Sequence, residues 1–373
     1  MNKFSKYIYI NSTILDNEPS GLGIYAINVL KRIPKYLNFS SNIVFTSADI
    51  VINGLDIKRT SKLVRPSDNK YAGIFRFFWT QIILPLKIMF KQGVIYCPNQ
   101  YASLLSNKKQ IITIHDLLPL HFPKQNKLQF LYYKYFLPLL LRRSAKIITI
   151  SENTKKDIIN YYHINENKIE VIYNGYDSNL FFPREKEGYV KKIYNIKKYI
   201  LIVGASYPHK NIDKYFEAFA TIKNKIEESI VIVGGRKQYK EYLKEVSKKL
   251  NIEDRVVFLP YILDKDLPKI YSEASVLVYP TLYEGFGLPP IEAMACGIPT
   301  IVSNTSSLPE VVGNASLLFD PYSIKDMAEK TLQMLTNKEM QDHYIKEGYK
   351  NIQRFSWDKT AKNIAKVISE INE

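Results

Sequence analysis

Cysteine is nearly missing from this chain. Cys97 and Cys296 are its only two, far apart in 373 residues and at no metal-ligand spacing. They read as small buried hydrophobes in a reducing compartment. A secretory leader is also lacking, since MNKFSKYIYINSTIL runs straight into a strand-like stretch with no small-residue cleavage site. No apolar run spans a bilayer: IILPLKIMF and LQFLYYKYFLPLLL are interrupted by Lys87 and Lys134 and fall short of the roughly 18 residues required. There is no internal repeat, no low-complexity tail, and no helix-turn-helix or aromatic-basic RNA module, so nucleic acid is not an expected partner. The expected location is the cytoplasm.

What is present is the composition of a soluble globular protein, 46% apolar and 24% charged, with length for two domains. The net charge of +16 is lopsided. Residues 1–183 carry 24 Lys and Arg against 11 Asp and Glu, a net of +13, whereas 184–373 carry 28 against 25, a net of +3. A basic half suits an anionic partner: nucleic acid, anionic lipid or a diphosphate-bearing substrate. A general richness in Lys, Ile, Asn and Tyr accounts for part of the excess.

Short runs rich in Ile and Val alternate with longer amphipathic stretches. The first series is 6–11, 42–47, 93–98, 110–116, 145–151 and 168–175; the second is 199–205, 229–235, 255–261, 276–281 and 299–304. Most are continuous apolar runs, as parallel strands covered on both faces require. Strands alternating with helices imply an α/β protein, and two series imply two doubly wound parallel-sheet domains. The break falls in 177–198, where Pro183 and a charged run interrupt the rhythm, so the expected domains are 1–183 and 184–356. A last helix over 357–373 is expected to pack back onto the first domain.

Ligands of open parallel sheets bind beyond the carboxyl ends of the strands. After 276–281 comes TLYEGFGLPPIEAMACG, where Gly285 and Gly287 flank Phe286 and a helix begins near Pro289. Bare amides and a helix dipole there make an anion site. Glu284 precedes this loop, and Glu292 lies eight residues on, within the helix.

The segment EGFGLPPIE resembles the E-x7-E motif of glycosyltransferase family 4, retaining enzymes of GT-B architecture in which two Rossmann-like domains face each other across a cleft. Further motifs follow the family in order: PSGLGIYAINVL, TIHDLLPLHFP, IITISENTKKDI, IEVIYNGYD, VGASYPHKN and SNTSSLPEVVG. The mannosyltransferase-like branch is the nearest in pattern. The resemblance implies roles for particular residues. Gly21 and Gly23 let the backbone approach the donor, and His115 lies by the reacting carbon while Asp116 holds its loop. Lys210 and His209 face the leaving diphosphate, whose developing charge a fixed cation stabilises. Glu284 sits by the donor sugar, with the amides of Gly285, Phe286, Gly287 and Leu288 on sugar or phosphate. Glu292 binds the ribose hydroxyls, and the base rests near Leu259, Pro260 and Tyr261. His209 replaces the family's commoner Arg, and Ala205 and Ser206 stand where many relatives carry another; Arg236 is a candidate replacement and equally a surface residue.

No cofactor or metal is expected. Asp264 and Asp266 form an Asp-x-Asp, but in a charged loop before a helix, where capping is the expected task. Residues 73–91 and 128–146 mix aromatic, aliphatic and basic residues; they read mainly as core helices with Arg76, Lys87, Lys91, Arg142 and Arg143 as a basic rim, able to meet an anionic membrane surface. The implied reaction is retaining transfer of a hexose, first GDP-mannose and otherwise a UDP- or dTDP-sugar, to an undecaprenyl-linked saccharide of bacterial O-antigen or capsule. Rivals are a sugar epimerase or phosphorylase of similar architecture, and an inactive membrane-docked subunit.

Overall fold

In the computed structural model, residues 7–17, 21–37, 39, 41–65 and 71–372 are described. Pro19 and Ser20 of the first glycine motif, and Lys6 of the first expected strand, lie outside them. The chain divides into two compact units, 1–175 with 356–373, and 176–355.

Among the described residues the first unit holds seven strands, β1 (Tyr7–Asn11), β2 (Ser41–Thr46), β3 (Asp56–Arg59), β4 (Val94–Cys97), β5 (Gln110–Ile114), β6 (Lys146–Thr149) and β7 (Ile169–Val171). Their order is β3-β2-β1-β4-β5-β6-β7, and every pairing is parallel. The second holds six, β8 (Tyr199–Ala205), β9 (Ser229–Gly235), β10 (Val256–Phe258), β11 (Val276–Tyr279), β12 (Thr300–Ser303) and β13 (Leu317–Phe319), ordered β10-β9-β8-β11-β12-β13 and again all parallel. Both are doubly wound sheets, as expected. The order reverses between β1 and β4 in one unit and between β8 and β11 in the other, and at such switch points the loops diverge to leave a crevice.

Two strands were not anticipated. β3 (DIKR) is largely solvent-exposed and β13 (LLF) has three residues; each is a sheet edge, so neither carries a long apolar run. The central strands are buried on both faces. Ile95, Ile112 and Ile147 pack with Leu137 and Leu141 in the first unit, and Ile202, Ile232 and Val278 with Phe216 in the second. Each such side chain stabilises by about 1.5–3 kcal/mol.

The helix Trp357–Asn372 belongs to the first unit and packs on the helix Leu22–Arg32, where Asp358 meets the Arg32 guanidinium at 3.3 Å. Two further helices of that unit, 72–88 and 127–143, each contain one wide turn, at Trp79–Ile83 and Tyr132–Phe136. Pro85 and Pro138 stand two residues beyond these turns. A proline cannot donate to the carbonyl four residues back and clashes with it, and the extra residue of a π-turn absorbs that conflict. The expected basic rim is corrected at one position. Arg76 is buried, its Nη1 donating to the Val64 carbonyl at 2.8 Å, whereas Lys87, Lys91, Arg142 and Arg143 are exposed. No helix among the described residues is long and apolar enough to cross a membrane.

Candidate functional site

At the β8–β11 switch point, two loops are stitched together. The Leu282 N–H and the Thr281 hydroxyl both donate to the His209 carbonyl, at 2.8 and 3.2 Å. This fixes the short turn Pro208–Lys210 after β8 against the loop after β11. Asn211, in the left-handed region at φ 59°, then turns the chain into the helix Ile212–Ile222.

The stitching brings Lys210 and Glu284 into contact, Nζ to Oε1 2.5 Å, with each side chain 16% exposed. Tyr279, the last residue of β11, completes a triangle: Lys210 Nζ lies 3.1 Å from its hydroxyl, which donates to Glu284 Oε1 at 3.0 Å. Burial pulls the Lys210 ammonium down, but Glu284 and Tyr279 outweigh it and hold the group above the ordinary lysine value. Burial pushes Glu284 up, but Lys210, His209 and the Tyr279 hydroxyl hold it below the ordinary carboxylate value. Both are therefore charged at neutral pH. An ammonium has three N–H donors; two are engaged here, leaving one for an incoming oxygen. Glu284 Oε2 likewise makes no hydrogen bond among the described residues.

His209 is buried and its pKa is lowered to about 4 by that burial, so it is neutral and adds no cation. Its ring stacks at 5.8 Å on Tyr207, over which the exposed Arg236 guanidinium sits at 4.1 Å. Arg236 thus stands beside the loop that carries Lys210.

The glycine loop is built for its turn. Gly287 caps the helix Leu288–Ala295 at φ 102°, and a Cβ there would lie 2.6 Å from Leu308 Cδ2. Ser306 and Ser307 hold the loop from below: the Glu284 N–H donates to Ser306 Oγ at 2.9 Å, and Ser307 Oγ donates to the carbonyls of Glu284 and Phe286 at 2.9 and 3.0 Å. The N–H groups of Gly285 and Gly287 find no acceptor among the described residues. The Phe286 side chain is buried, edge-on to Phe355 at 5.5 Å. No acidic residue occupies the first helical turn, which begins with Leu288 and Pro289, so its dipole is left for an external anion.

One turn into that helix, Glu292 accepts the Tyr271 hydroxyl at 2.7 Å. Burial raises its pKa to about 7, with the Asp264 charge adding and Tyr271 opposing. Two expectations nearby are revised. The Leu259 side chain is core, so only Pro260 and Tyr261, which is 76% exposed, offer a surface to a base. Asp266 occupies the N-cap position of the helix Leu267–Glu273, yet its carboxylate pairs with Lys269 at 3.1 Å instead of capping. Asp264 and Asp266 belong to no metal-ligand cluster, and no three His, Cys, Asp or Glu group as ligands among the described residues.

In the first unit, His115 follows β5, 9% exposed. Its Nε2 lies 2.9 Å from the Pro98 carbonyl, after β4. A carbonyl only accepts, so Nε2 carries the proton and Nδ1 offers a lone pair. Burial lowers its pKa to about 4, against the Pro98 hydrogen bond, so the ring is neutral. Its own carbonyl accepts the Thr154 hydroxyl at 3.2 Å, and Asp116 Oδ1 accepts the Leu118 N–H at 2.9 Å, holding the loop. The ring stands edge-on to Tyr25 at 4.6 Å. Tyr25 lies one turn into the Leu22–Arg32 helix capped by Gly21, in which Gly23 is buried, so the glycine loop and His115 meet through that ring. Tyr279, Tyr271, Tyr25, Ser306 and Ser307 were not singled out in the sequence. Ser306 and Ser307 lie within SNTSSLPEVVG, and Tyr279 ends a recognised strand, but their partners are distant in sequence.

Comparison with known proteins supplies the remaining evidence. Residues 183–351 match the model of glycosyl transferases group 1, and residues 62–180 that of Glycosyltransferase Family 4. The chain is 35% identical over 219 residues to O-antigen chain mannosyltransferase RfbU of Salmonella typhimurium, a match covering 57% of each chain. It is 28% identical over 279 residues to O-antigen chain mannosyltransferase B of Escherichia coli, covering 72% of each. The match thus spans little more than half the length of the Salmonella relative. In fold it resembles HepE of Anabaena, solved with UDP and glucose, at a TM-score of 0.74 and 18% identity over 98% of this chain and 100% of that one.

Proposed function

Because the chain belongs to the glycosyltransferases of family 4, its two halves matching their models in turn, we propose that it is a retaining hexosyltransferase. Its donor is a nucleotide-diphosphate sugar, GDP-mannose first, and its acceptor a lipid-linked saccharide of O-antigen or capsule at the cytoplasmic face of the membrane. The observation that carries this reading is the Lys210–Glu284–Tyr279 triangle, a cation and a carboxylate held together at a switch point beside bare glycine amides. The two O-antigen mannosyltransferases support the choice of sugar and acceptor class.

In this reading the donor lies on the second unit. Lys210 and the amides of Gly285 and Gly287 receive the diphosphate, Glu284 Oε2 the sugar hydroxyls, and Glu292 the ribose. The bond between the anomeric carbon and the diphosphate oxygen breaks as the acceptor hydroxyl attacks from the same face, through an oxocarbenium-like state. The acceptor proton passes to the leaving phosphate oxygen, and the nucleoside diphosphate departs with the electron pair. Lys210 acts where that charge grows, the step at which a fixed donor is worth most. His115, neutral, presents a lone pair or its carbonyl to the sugar. The transfer needs no divalent ion, because Lys210 supplies the counter-charge.

The test is a thermal-shift panel of GDP, UDP, dTDP and their sugar conjugates, with and without EDTA, followed by transfer of labelled sugar to lipid-linked acceptor. A ligand that binds only the native state raises the melting temperature with the logarithm of its excess. A shift with GDP and GDP-mannose that survives EDTA supports the reading. A shift with UDP or dTDP alone replaces the donor, and no shift with any nucleotide removes the site.

A further inference from the structure

Helices at a protein surface normally turn a polar face to water. The helices 72–88 and 127–143 do the reverse. On the first and the turn after it, Ile74, Phe78, Ile82, Leu86 and Phe90 recur at helical spacing on the exposed side, and Phe90 is 92% exposed. On the second, Leu128, Leu131, Tyr135 and Leu139 do the same, each close to half exposed or more. The opposite sides, Trp79, Leu84 and Ile88, with Tyr133, Leu137 and Leu140, are buried in the core of the first unit. The two helices touch, the Phe77 and Phe136 rings packing edge-on at 4.8 Å, so the two stripes belong to one surface.

Charge on this surface has one sign. Residues 71–143 contain ten Lys and Arg, of which Arg76 is buried, and a single acid, Asp116, whose carboxylate is engaged by the Leu118 N–H. Lys87 and Lys91 project beside the first stripe; on the second, Lys134 lies 5.2 Å from the centre of the Tyr135 ring. Next to them, Lys58, Arg59, Lys87 and Lys91 line a cavity with Tyr9 and Phe45, although Arg59 is already paired with Asp49 and Lys58 with Asp56. An exposed apolar patch of this extent marks an interaction site. The helices 72–88 and 127–143 themselves contain no acid, so a protein partner would have to supply acids against their lysines and arginines around apolar rings. A bilayer with anionic headgroups supplies both layers at once: hydrocarbon for the stripes and phosphates for the lysines.

We infer that the helices 72–88 and 127–143 form a docking face that lies in the surface of an anionic lipid bilayer, with Phe78, Leu86, Phe90 and Tyr135 entering the acyl boundary. This holds the first unit at the membrane whatever sugar the second unit binds, so it goes beyond the proposed transfer reaction. The wide turns at the two prolines fit this role, since the extra residue resets which side chains face outward after each turn.

The experiment is flotation of the full chain with vesicles of phosphatidylglycerol and phosphatidylethanolamine, and with phosphatidylcholine alone, at low and high salt. The wild type should float with the anionic vesicles at low salt and less at high salt, where the lysine contribution is screened. The triple variant F78S/L86S/F90S should lose at least about tenfold in partition at either salt. K87E/K91E should lose anionic selectivity alone. Both variants should keep the wild-type melting temperature and nucleotide shift, because none of these side chains is in the core. Wild type that stays unbound at low salt, or a serine variant that floats as well as wild type, overturns the inference. So does light scattering that finds a dimer which the serine variant splits, for then the face binds a second copy.

Discussion

At the crevice between β8 and β11 the second unit carries a full charge of each sign, Lys210 and Glu284, in contact at 2.5 Å. At the crevice between β1 and β4 the first unit shows no such buried ion pair among the described residues. There Asn11 of β1 donates to the Tyr101 carbonyl at 2.9 Å, and His115, neutral, donates to Pro98. The topology is the same, an order reversal in an all-parallel sheet, and in both units a side chain or amide from one loop ties the two sides of the crevice. The contents differ because the ligands proposed for them differ. A diphosphate leaving group needs a fixed counter-charge, whereas the acceptor hydroxyl proposed for the first unit can be met by neutral donors and acceptors. Net charge alone pointed the other way, since the first half of the chain is the basic one. Much of the excess lies on its surface, although Arg65 and Arg76 are buried, and the buried Lys210–Glu284 ion pair lies in the nearly neutral half.

The sharpest way to break this comparison is to empty the charged crevice. K210A is expected to lower kcat about 10²–10³-fold in steady-state transfer assays. E284A is expected to cost a similar factor, and also stability, about 3–5 kcal/mol by urea unfolding, because it strands a buried ammonium. The double variant should be far less impaired than the product of the two factors, as for residues that act as a unit. Full additivity would mean that the pair is not one device.

Acid sharpens the comparison from the other side, because each unit buries one neutral histidine. The folded pKa of His115 and of His209 is about 4, against about 6.5 when unfolded. Between those values the unfolded chain binds more protons, so the stability each contributes is present above pH 6.5 and is lost as pH falls toward 4. The loss is up to about 3 kcal/mol for each histidine. Urea titrations at pH 7 and 5 should show it, and H115Q and H209Q should each flatten part of the slope. A slope unchanged in both variants would reassign the acid sensitivity to carboxylates.

Glu292 runs with the opposite sign. Its folded pKa, about 7, is raised, so the charged form is disfavoured and its effect on stability is adverse as pH climbs through the carboxylate range. If nucleotide hydroxyls require the carboxylate, affinity for the nucleoside diphosphate should improve about tenfold from pH 6 to pH 8. E292Q should bind more weakly and without that pH dependence in calorimetry. An equal pH dependence in the variant would move the titration to the phosphate.

Much of this was legible in the sequence, and what was not has physical reasons. Central strands such as 110–116 and 229–235 announce themselves because burial on both faces demands continuous apolar runs, while the edge strands β3 and β13 are exempt from that demand. Glu284, Lys210 and His115 could be named from motifs because each sits just past a strand. Tyr279 and Tyr271 could not, since their roles depend on hydroxyl positions that exist only after β8, β11 and the Leu267–Glu273 helix pack. Arg76 and Leu259 were misplaced for a related reason: a charge in an apolar helix and a leucine at a strand end say nothing of which way they face. The exposed stripes of 72–88 and 127–143 have the composition of core, and only the fold shows that one side of each helix was left uncovered.

The smallest expected effect separates fold from ligand approach in the two glycine loops. Gly287, at φ 102°, has Leu308 Cδ2 where a Cβ would go, and Gly21, at φ 47°, has no atom of the described residues within 4 Å of that position. G287A must therefore strain the backbone and displace Leu308, at a cost of roughly 1–3 kcal/mol in stability, so its loss of activity would be uninformative. G21A meets no described side chain, but its backbone, at φ 47° and ψ −105°, lies outside the left-handed helical region in a conformation essentially reserved to glycine, at a cost of roughly 1–3 kcal/mol. If the backbone at Gly21 approaches the donor, G21A should raise KM for the nucleotide sugar severalfold with the fold intact by circular dichroism. If KM is unchanged, Gly21 serves its turn alone.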